Sequence, residues 1–168
     1  LPLPVGQSSG CELLDFEVTQ ESDGAGVAEK LNGGMPQGLH VLDCYPAQRP
    51  VRELAWLRAA VELEYDAGVP AGAADALREL FARSELIIQK RTKRKELADV
   101  DIAPMIGKVE LNEEPHRICG TMTVRAQNPG LNPQLLEKAI AKYRPDLQPD
   151  FMRVRRLAFL DEAGNNFR

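Results

Sequence analysis

Four separate stretches of this chain alternate apolar and polar side chains, and the stretches between them repeat apolar residues at helical spacing. That combination restricts the fold more than any other feature of the sequence. Leu14, Phe16 and Val18 lie on one side of an extended chain, with Asp15, Glu17 and Thr19 on the other. The same period of two recurs in Val61, Leu63 and Tyr65, in Ala98, Val100 and Ile102, and in Ile118, Gly120, Met122 and Val124. A period of two is the signature of a strand with one buried face and one wet face. Between them, Ala73, Ala74, Leu77, Leu80 and Phe81, and later Leu135, Leu136, Ala139, Ile140 and Tyr143, make apolar stripes along helices. Half-buried strands interleaved with amphipathic helices define an α+β fold.

The order of these elements sharpens the expectation. Residues 52–60 read as helix-favouring, with Trp56, Leu54 and Leu57 packing that helix onto the core, and a strand follows at 61–65. Gly68-Val69-Pro70 turns the chain into the helix at 73–81, and Leu86-Ile87-Ile88 opens the next strand. Ala98–Ile102 returns as the second arm of a hairpin, Pro104 closes it, and a short helix or turn carries the chain to Leu111. The strand over 117–126 is broken by Asn128-Pro129-Gly130. Asn132 then has the character of an N-cap with Pro133 in the first helical position, and 151–160 is the closing strand. This order is that of a ferredoxin-like split βαβ unit.

Ahead of it, strand 11–19, a helix through Val27, Leu31 and Met35, and strand 39–45 repeat the order of the second half of that unit. Glu21-Ser22-Asp23-Gly24 supplies the turn and cap of the helix. Gly24-Ala25-Gly26 and Gly33-Gly34 read as its two ends rather than as a dinucleotide loop. The expectation is therefore tandem ferredoxin-like modules with antiparallel sheets. The first, over 1–50, is incomplete at its N-terminus; the second, over 51–168, carries a basic hairpin insertion. On this reading the opening Leu1-Pro2-Leu3-Pro4-Val5-Gly6 is a junction into a module whose first half lies upstream.

Composition excludes some classes. With 43% hydrophobic and 27% charged residues, the chain is neither fibrous nor wholly disordered. No apolar run is long enough to span a bilayer, so the expected compartment is the cytoplasm. Cys11, Cys44 and Cys119 are few and far apart, which points to free thiols rather than a metal or iron–sulfur cluster. His40 and His116 stand at no metal-ligand spacing, and no phosphate loop, GxSxG or HExxH motif occurs. No catalytic and no metal-ligating residue is assigned.

Charge supplies the candidates that remain. Residues 1–50 carry two cations, Lys30 and Arg49, against seven carboxylates, whereas the rest of the chain is nearly neutral. Lys90, Arg91, Lys93, Arg94 and Lys95 crowd the hairpin tip, and Arg153, Arg155 and Arg156 form a second group. Both groups are candidates for contact with nucleic-acid phosphates. The plainer reading of the hairpin is a solvated edge that resists aggregation. Asp99 and Asp101, two apart on one strand, could bind a divalent cation or share a proton. Neutralisation by the cations of the same hairpin is the favoured reading, with Asp101 kept as the candidate.

The segments Leu1–Gly6, Glu12-Leu13-Leu14-Asp15, Met35-Pro36-Gln37-Gly38-Leu39-His40-Val41-Leu42 and Lys93 through Val100-Asp101-Ile102-Ala103-Pro104 resemble the bacterial radical-SAM-associated domain of unknown function. That domain stands alone or follows a cobalamin-binding radical SAM protein. The resemblance implies a radical SAM partner, fused or separate, that would carry the iron–sulfur cluster, S-adenosylmethionine and, in its cobalamin-binding form, cobalamin. No cofactor is expected in this chain. The implied role is a non-catalytic substrate-recognition or partner-binding module. The alternative is an RNA-binding or RNA-processing protein that uses the basic hairpin.

Overall fold

The computed structural model describes residues 3–19, 23–91 and 96–167. Among them the chain forms a mixed α+β structure with a five-stranded sheet, a two-stranded sheet and three α-helices. It divides into two compact units, one made of Leu1–Glu12 with Leu54–Phe167, the other of Leu13–Glu53.

In the larger unit, β1 (Gln7–Ser9) is followed by β2 (Trp56–Glu64), α2 (Ala73–Phe81), β3 (Ile87–Arg91) and β4 (Leu97–Asp101). Then come β5 (Ile106–Glu114), β6 (Arg117–Arg125), α3 (Leu136–Tyr143) and β7 (Phe151–Leu160). The large sheet has the order β1-β7-β2-β6-β5, and β3 and β4 form a separate hairpin. All its pairings are antiparallel except β1 with β7, so the sheet is mixed rather than wholly antiparallel.

Burial alternates along β2, so that Leu57, Ala59, Val61 and Leu63 face inward. They join Ile118, Met122 and Val124 of β6, Met152 and Val154 of β7, Leu77 and Leu80 of α2, and Leu136 and Ile140 of α3 in a single core. Both helices therefore cover the same face of the sheet, as their apolar stripes require. Asn132 caps the turn before α3, its side chain accepting from the Gln134 amide. The closing strand spans the expected residues.

Two local contacts close the margins of this unit. The phenol of Tyr143 accepts from the Ile87 amide and donates to the Ile87 carbonyl, while Lys142 and Lys138 donate to the carbonyls of Ile87 and Gln89. The outer edge of β3 is thus satisfied by side chains of α3 instead of a further strand. At the other end, β5 and β6 approach so closely at Gly120 that a Cβ there would run into the Glu110 carbonyl and the Leu111 backbone.

Three expectations are corrected. Of the helix-favouring stretch 52–60, only the start is helical, in the 3-10 turn Val51–Glu53; from Trp56 on it is the first half of a nine-residue strand, β2. The chain from Pro104 to Leu111 is a single 3-10 turn, Ala103–Met105, followed directly by β5. Finally, neither 11–19 nor 39–45 forms a strand. Alternation makes a strand only where a neighbour supplies the ladder of hydrogen bonds. Here the place beside β7 is taken by Gln7–Ser9, while the Val41 amide and carbonyl are bonded to the side chain of Asn32.

The smaller unit contains α1 (Gly24–Gly34), capped by Asp23, whose carboxylate accepts from the Gly26 amide. Gly24 lies against the Cys44 carbonyl where no side chain would fit. None of its described residues is buried, and Leu14 and Leu42 are about three-quarters exposed.

Candidate binding surface on the open face of the sheet

Since α2 and α3 share one face, the other face of the large sheet carries no layer of helices from its own unit. The strand registers fix what stands there. One row across the strands holds Trp56 beside Arg125, the next Arg58 beside Thr123, and the next Arg155, Ala60, Thr121 and Glu110. Ser8 pairs with Arg155 and extends that row to the edge. Below come Arg153, Glu62, Cys119 and Asn112, and then Phe151, Glu64, Arg117 and Glu114.

The charges divide this face in two. In the lower rows they are spent on each other: Arg153 pairs with Glu64 at 2.8 Å, and Arg117 pairs with Glu114 at 2.6 Å and Glu62 at 3.1 Å. Glu114 first, then Glu62, hold the Arg117 guanidinium protonated beyond the ordinary arginine range. In the upper rows Arg125 stacks on the Trp56 ring, 4.1 Å from its centroid, and pairs with Glu162. Lys108 pairs with Glu110 and holds that carboxyl below its usual range. Arg58 and Arg155 are exposed, and neither has a carboxylate partner among the described residues. Between them the floor is made of small side chains, Ser8, Ala60, Thr121 and Thr123.

The three arginines expected to act together are separated. Residues 155 and 156 point to opposite faces, as neighbours on a strand must. Arg155 and Arg153 stand on the open face. Arg156 is wholly buried on the helix side, and its Nη1 donates to both carboxylate oxygens of Glu12 at 3.0 and 3.1 Å. Phosphate cannot reach it there. Cys11 is packed beside this pair. Burial pushes its thiol pKa up, and Glu12 adds to the rise, against a hydrogen bond from Ser9 and the charge of Arg156.

Asp101 serves the backbone. Its Oδ1 accepts from the amides of Leu86 at 2.8 Å and Ala103 at 3.0 Å, fixing the entry to β3 and the exit from β4. Asp99 stands opposite Gln89, and Lys90 opposite Ala98. Lys90 and the two aspartates therefore project from opposite faces of the hairpin, so Lys90 does not neutralise them as expected. The side chain of Arg91 and residues Lys93, Arg94 and Lys95 lie outside the described residues. Among those described, no group of three or more His, Cys, Asp or Glu side chains is placed to hold a metal ion.

A groove of about 500 Å³ at the β5 edge is lined by Arg78, Val109, Glu110, Leu111, Asn112, Gly120 and Thr121. Arg78 is committed within it, donating to the Leu111 carbonyl and pairing with Asp75.

Arg58 and Trp56 were hidden within a stretch that read as helix. The signal that finds them is the alternation of Leu57, Ala59, Val61, Leu63 and Tyr65, which begins before residue 61.

Fold and site together define an α+β protein with one sheet face covered by its own unit's helices and the other carrying Arg58 and Arg155, exposed and without a carboxylate partner among the described residues. Its family is shown by sequence: the chain belongs to the uncharacterised proteins conserved in bacteria (DUF2344), whose family model matches residues 1–133. No curated protein and no solved structure matches the chain.

Proposed function

We propose that this chain is a recognition module, binding a substrate or a partner without transforming it, in the service of a radical SAM protein. The observation that carries the reading is the sheet face opposite α2 and α3, a broad surface that no helix of its own unit covers among the described residues. The chain's better-placed acidic groups have structural duties that support it: Asp101 holds two backbone amides, Glu12 balances Arg156, and Glu62, Glu64 and Glu114 are paired with arginines. The radical SAM partner rests on the sequence resemblance, and that partner would supply the cluster, S-adenosylmethionine and, in its cobalamin-binding form, cobalamin. Among the described residues no helix is long and apolar enough to cross a membrane; the cytoplasm is the compartment proposed.

Residues 54–160 are proposed to be one ferredoxin-like module with the β3–β4 hairpin inserted. The order β7-β2-β6-β5, with helices after β2 and β6, supports this, and β1 is then an added edge strand. RNA binding is the second reading, and the uncommitted arginines of the open face favour it.

Mass photometry of this chain titrated with the radical SAM protein fused to it or encoded beside it tests the first reading. A complex at micromolar concentration is expected. Its absence overturns the partnership.

A further inference from the structure

We propose that the open face along β7 from Phe151 to Arg155, and across to Arg58, is a platform for single-stranded nucleic acid. The proposal rests on the chain being a recognition module and names what that module holds.

Charge comes first. Of the arginines on this face, Arg117, Arg125 and Arg153 are occupied by Glu62, Glu114, Glu162 and Glu64. Arg58 and Arg155 are exposed and have no carboxylate partner among the described residues. Arg155 stands opposite Ala60 and Arg58 opposite Ala158, so the two lie on the same face of the β2–β7 pair with a β-bulge adding one residue of β7 between them. A guanidinium that gives up no existing ion pair on binding is well suited to a phosphodiester, which it can grip with two parallel hydrogen bonds.

Shape decides which nucleic acid. The floor between the two arginines is Ser8, Ala60, Thr121 and Thr123, and β7 adds the exposed Leu157 between Arg155 and Ala158. A flat sheet offers a duplex little beyond contact with its phosphates, whereas a single strand can lay its bases down on planar groups. Such groups run along β7. Phe151 is 53% exposed, and Arg153 lies 5.5 Å from its ring centroid, followed by Arg155. The strand is thus expected to follow β7 from Phe151 towards Arg155 and cross to Arg58. The Trp56 ring carries Arg125 as the Phe151 ring carries Arg153, and it stands two residues from Arg58 on the same face of β2, so it is a second stacking surface at the far end of the path.

The test is fluorescence anisotropy of the full chain with a labelled oligoribonucleotide of about 12 nucleotides, within the range of single-strand site sizes. The same sequence as DNA, its RNA duplex, and polyglutamate serve as parallel probes. Tighter binding of RNA than of DNA would place a 2′-hydroxyl in the contact, and equal binding would make the phosphates and bases sufficient. Either result supports the platform.

Arg58→Ala and Arg155→Ala are each expected to weaken single-strand binding about fivefold or more. Each should also flatten the slope of log affinity against log salt by about 0.7, the loss of one phosphate contact. Lys90→Ala should leave both unchanged. Both arginines are exposed, and unaltered thermal unfolding of the variants confirms that the fold survives. The proposal is overturned if the double variant binds as the parent does, if the duplex binds more tightly than the single strand, or if polyglutamate binds equally well. Loss of binding only in the Lys90 variant moves the site to the hairpin and also overturns it, while the recognition-module reading stands. Failure of every nucleic acid together with a complex in the radical SAM titration overturns the platform alone.

Discussion

Arg156 on β7 is buried to the last atom, and its guanidinium is bonded to Glu12, 144 positions earlier in the chain, which closes the turn after β1. The two partners are not equivalent. Glu12 keeps about a third of its side chain in solvent, whereas Arg156 keeps none. Removing the carboxylate leaves a desolvated cation short of its counter-charge. Removing the cation lets the carboxylate rehydrate. Glu12→Ala should therefore cost about 2–3 kcal/mol, reduced from the value for a fully buried pair because Glu12 is partly exposed. Arg156→Met should cost clearly less. Urea unfolding of both variants checks this, and the reverse order would refute it.

Asp101 gives a second prediction, because a carboxylate that holds two amides behaves unlike one that binds a ligand. Asp101→Ala leaves the Leu86 and Ala103 amides without their acceptor and should lower stability by about 1–3 kcal/mol. Asp101→Asn keeps an oxygen in place and should recover most of that loss. A metal-binding or acid–base role would instead leave the stability of Asp101→Ala unchanged.

The pH dependence of stability has an alkaline limb set in part by Tyr65. This residue is 5% exposed, and its hydroxyl donates to the Leu147 carbonyl. Burial first, then the charges of Asp150 and Glu113, push its pKa up to about 12. The unfolded chain loses this proton near pH 10, the folded chain only near 12, so the contribution is complete below pH 10 and disappears as pH rises through 12. The loss approaches about 1.4 kcal/mol per pH unit across that window. Tyr65→Phe should cost about 1 kcal/mol at neutral pH through the hydrogen bond. It should also be less sensitive than the parent between pH 10 and 12, as chemical denaturation at a series of pH values will show.

Gly120 predicts a purely steric effect. Because a Cβ there would meet the Glu110 carbonyl and the Leu111 backbone, Gly120→Ala must push β5 away from β6. A cost of about 3 kcal/mol or more is expected, at the large end of single-substitution effects. Amide exchange should rise first along β5. An unchanged exchange pattern would mean that the strands are not so closely apposed.

The helices α2 and α3 and the strands β6 and β7 were legible because each pays for its burial with a clear period in its own residues. β5 was harder to see. It is an edge strand, with Lys108, Glu110, Asn112, Glu113 and Glu114 all exposed, so little apolar alternation remains beyond Val109 and Leu111. The pattern at Leu14, Phe16 and Val18 misled for the opposite reason: the alternation is present and the pairing neighbour is not. The surface was half legible. Arg155 was found from charge clustering, but the cluster had to be divided by the strand's own period, since Met152 and Val154 already assign Arg156 to the core side. Arg58 was masked by helix-favouring neighbours. No local pattern could reveal that Arg58 and Arg155 have no carboxylate partner among the described residues, because that depends on partners brought together from distant strands.

The most direct test of the open face as the working surface is an amide chemical-shift titration of the labelled full chain with a short single-stranded oligoribonucleotide. The account predicts shifts gathered at Ser8, Arg58, Ala60, Thr121, Thr123, Phe151, Arg153 and Arg155, with α2, α3 and the β3–β4 hairpin undisturbed. Shifts confined to the helices or to the hairpin, with those positions silent, would contradict it.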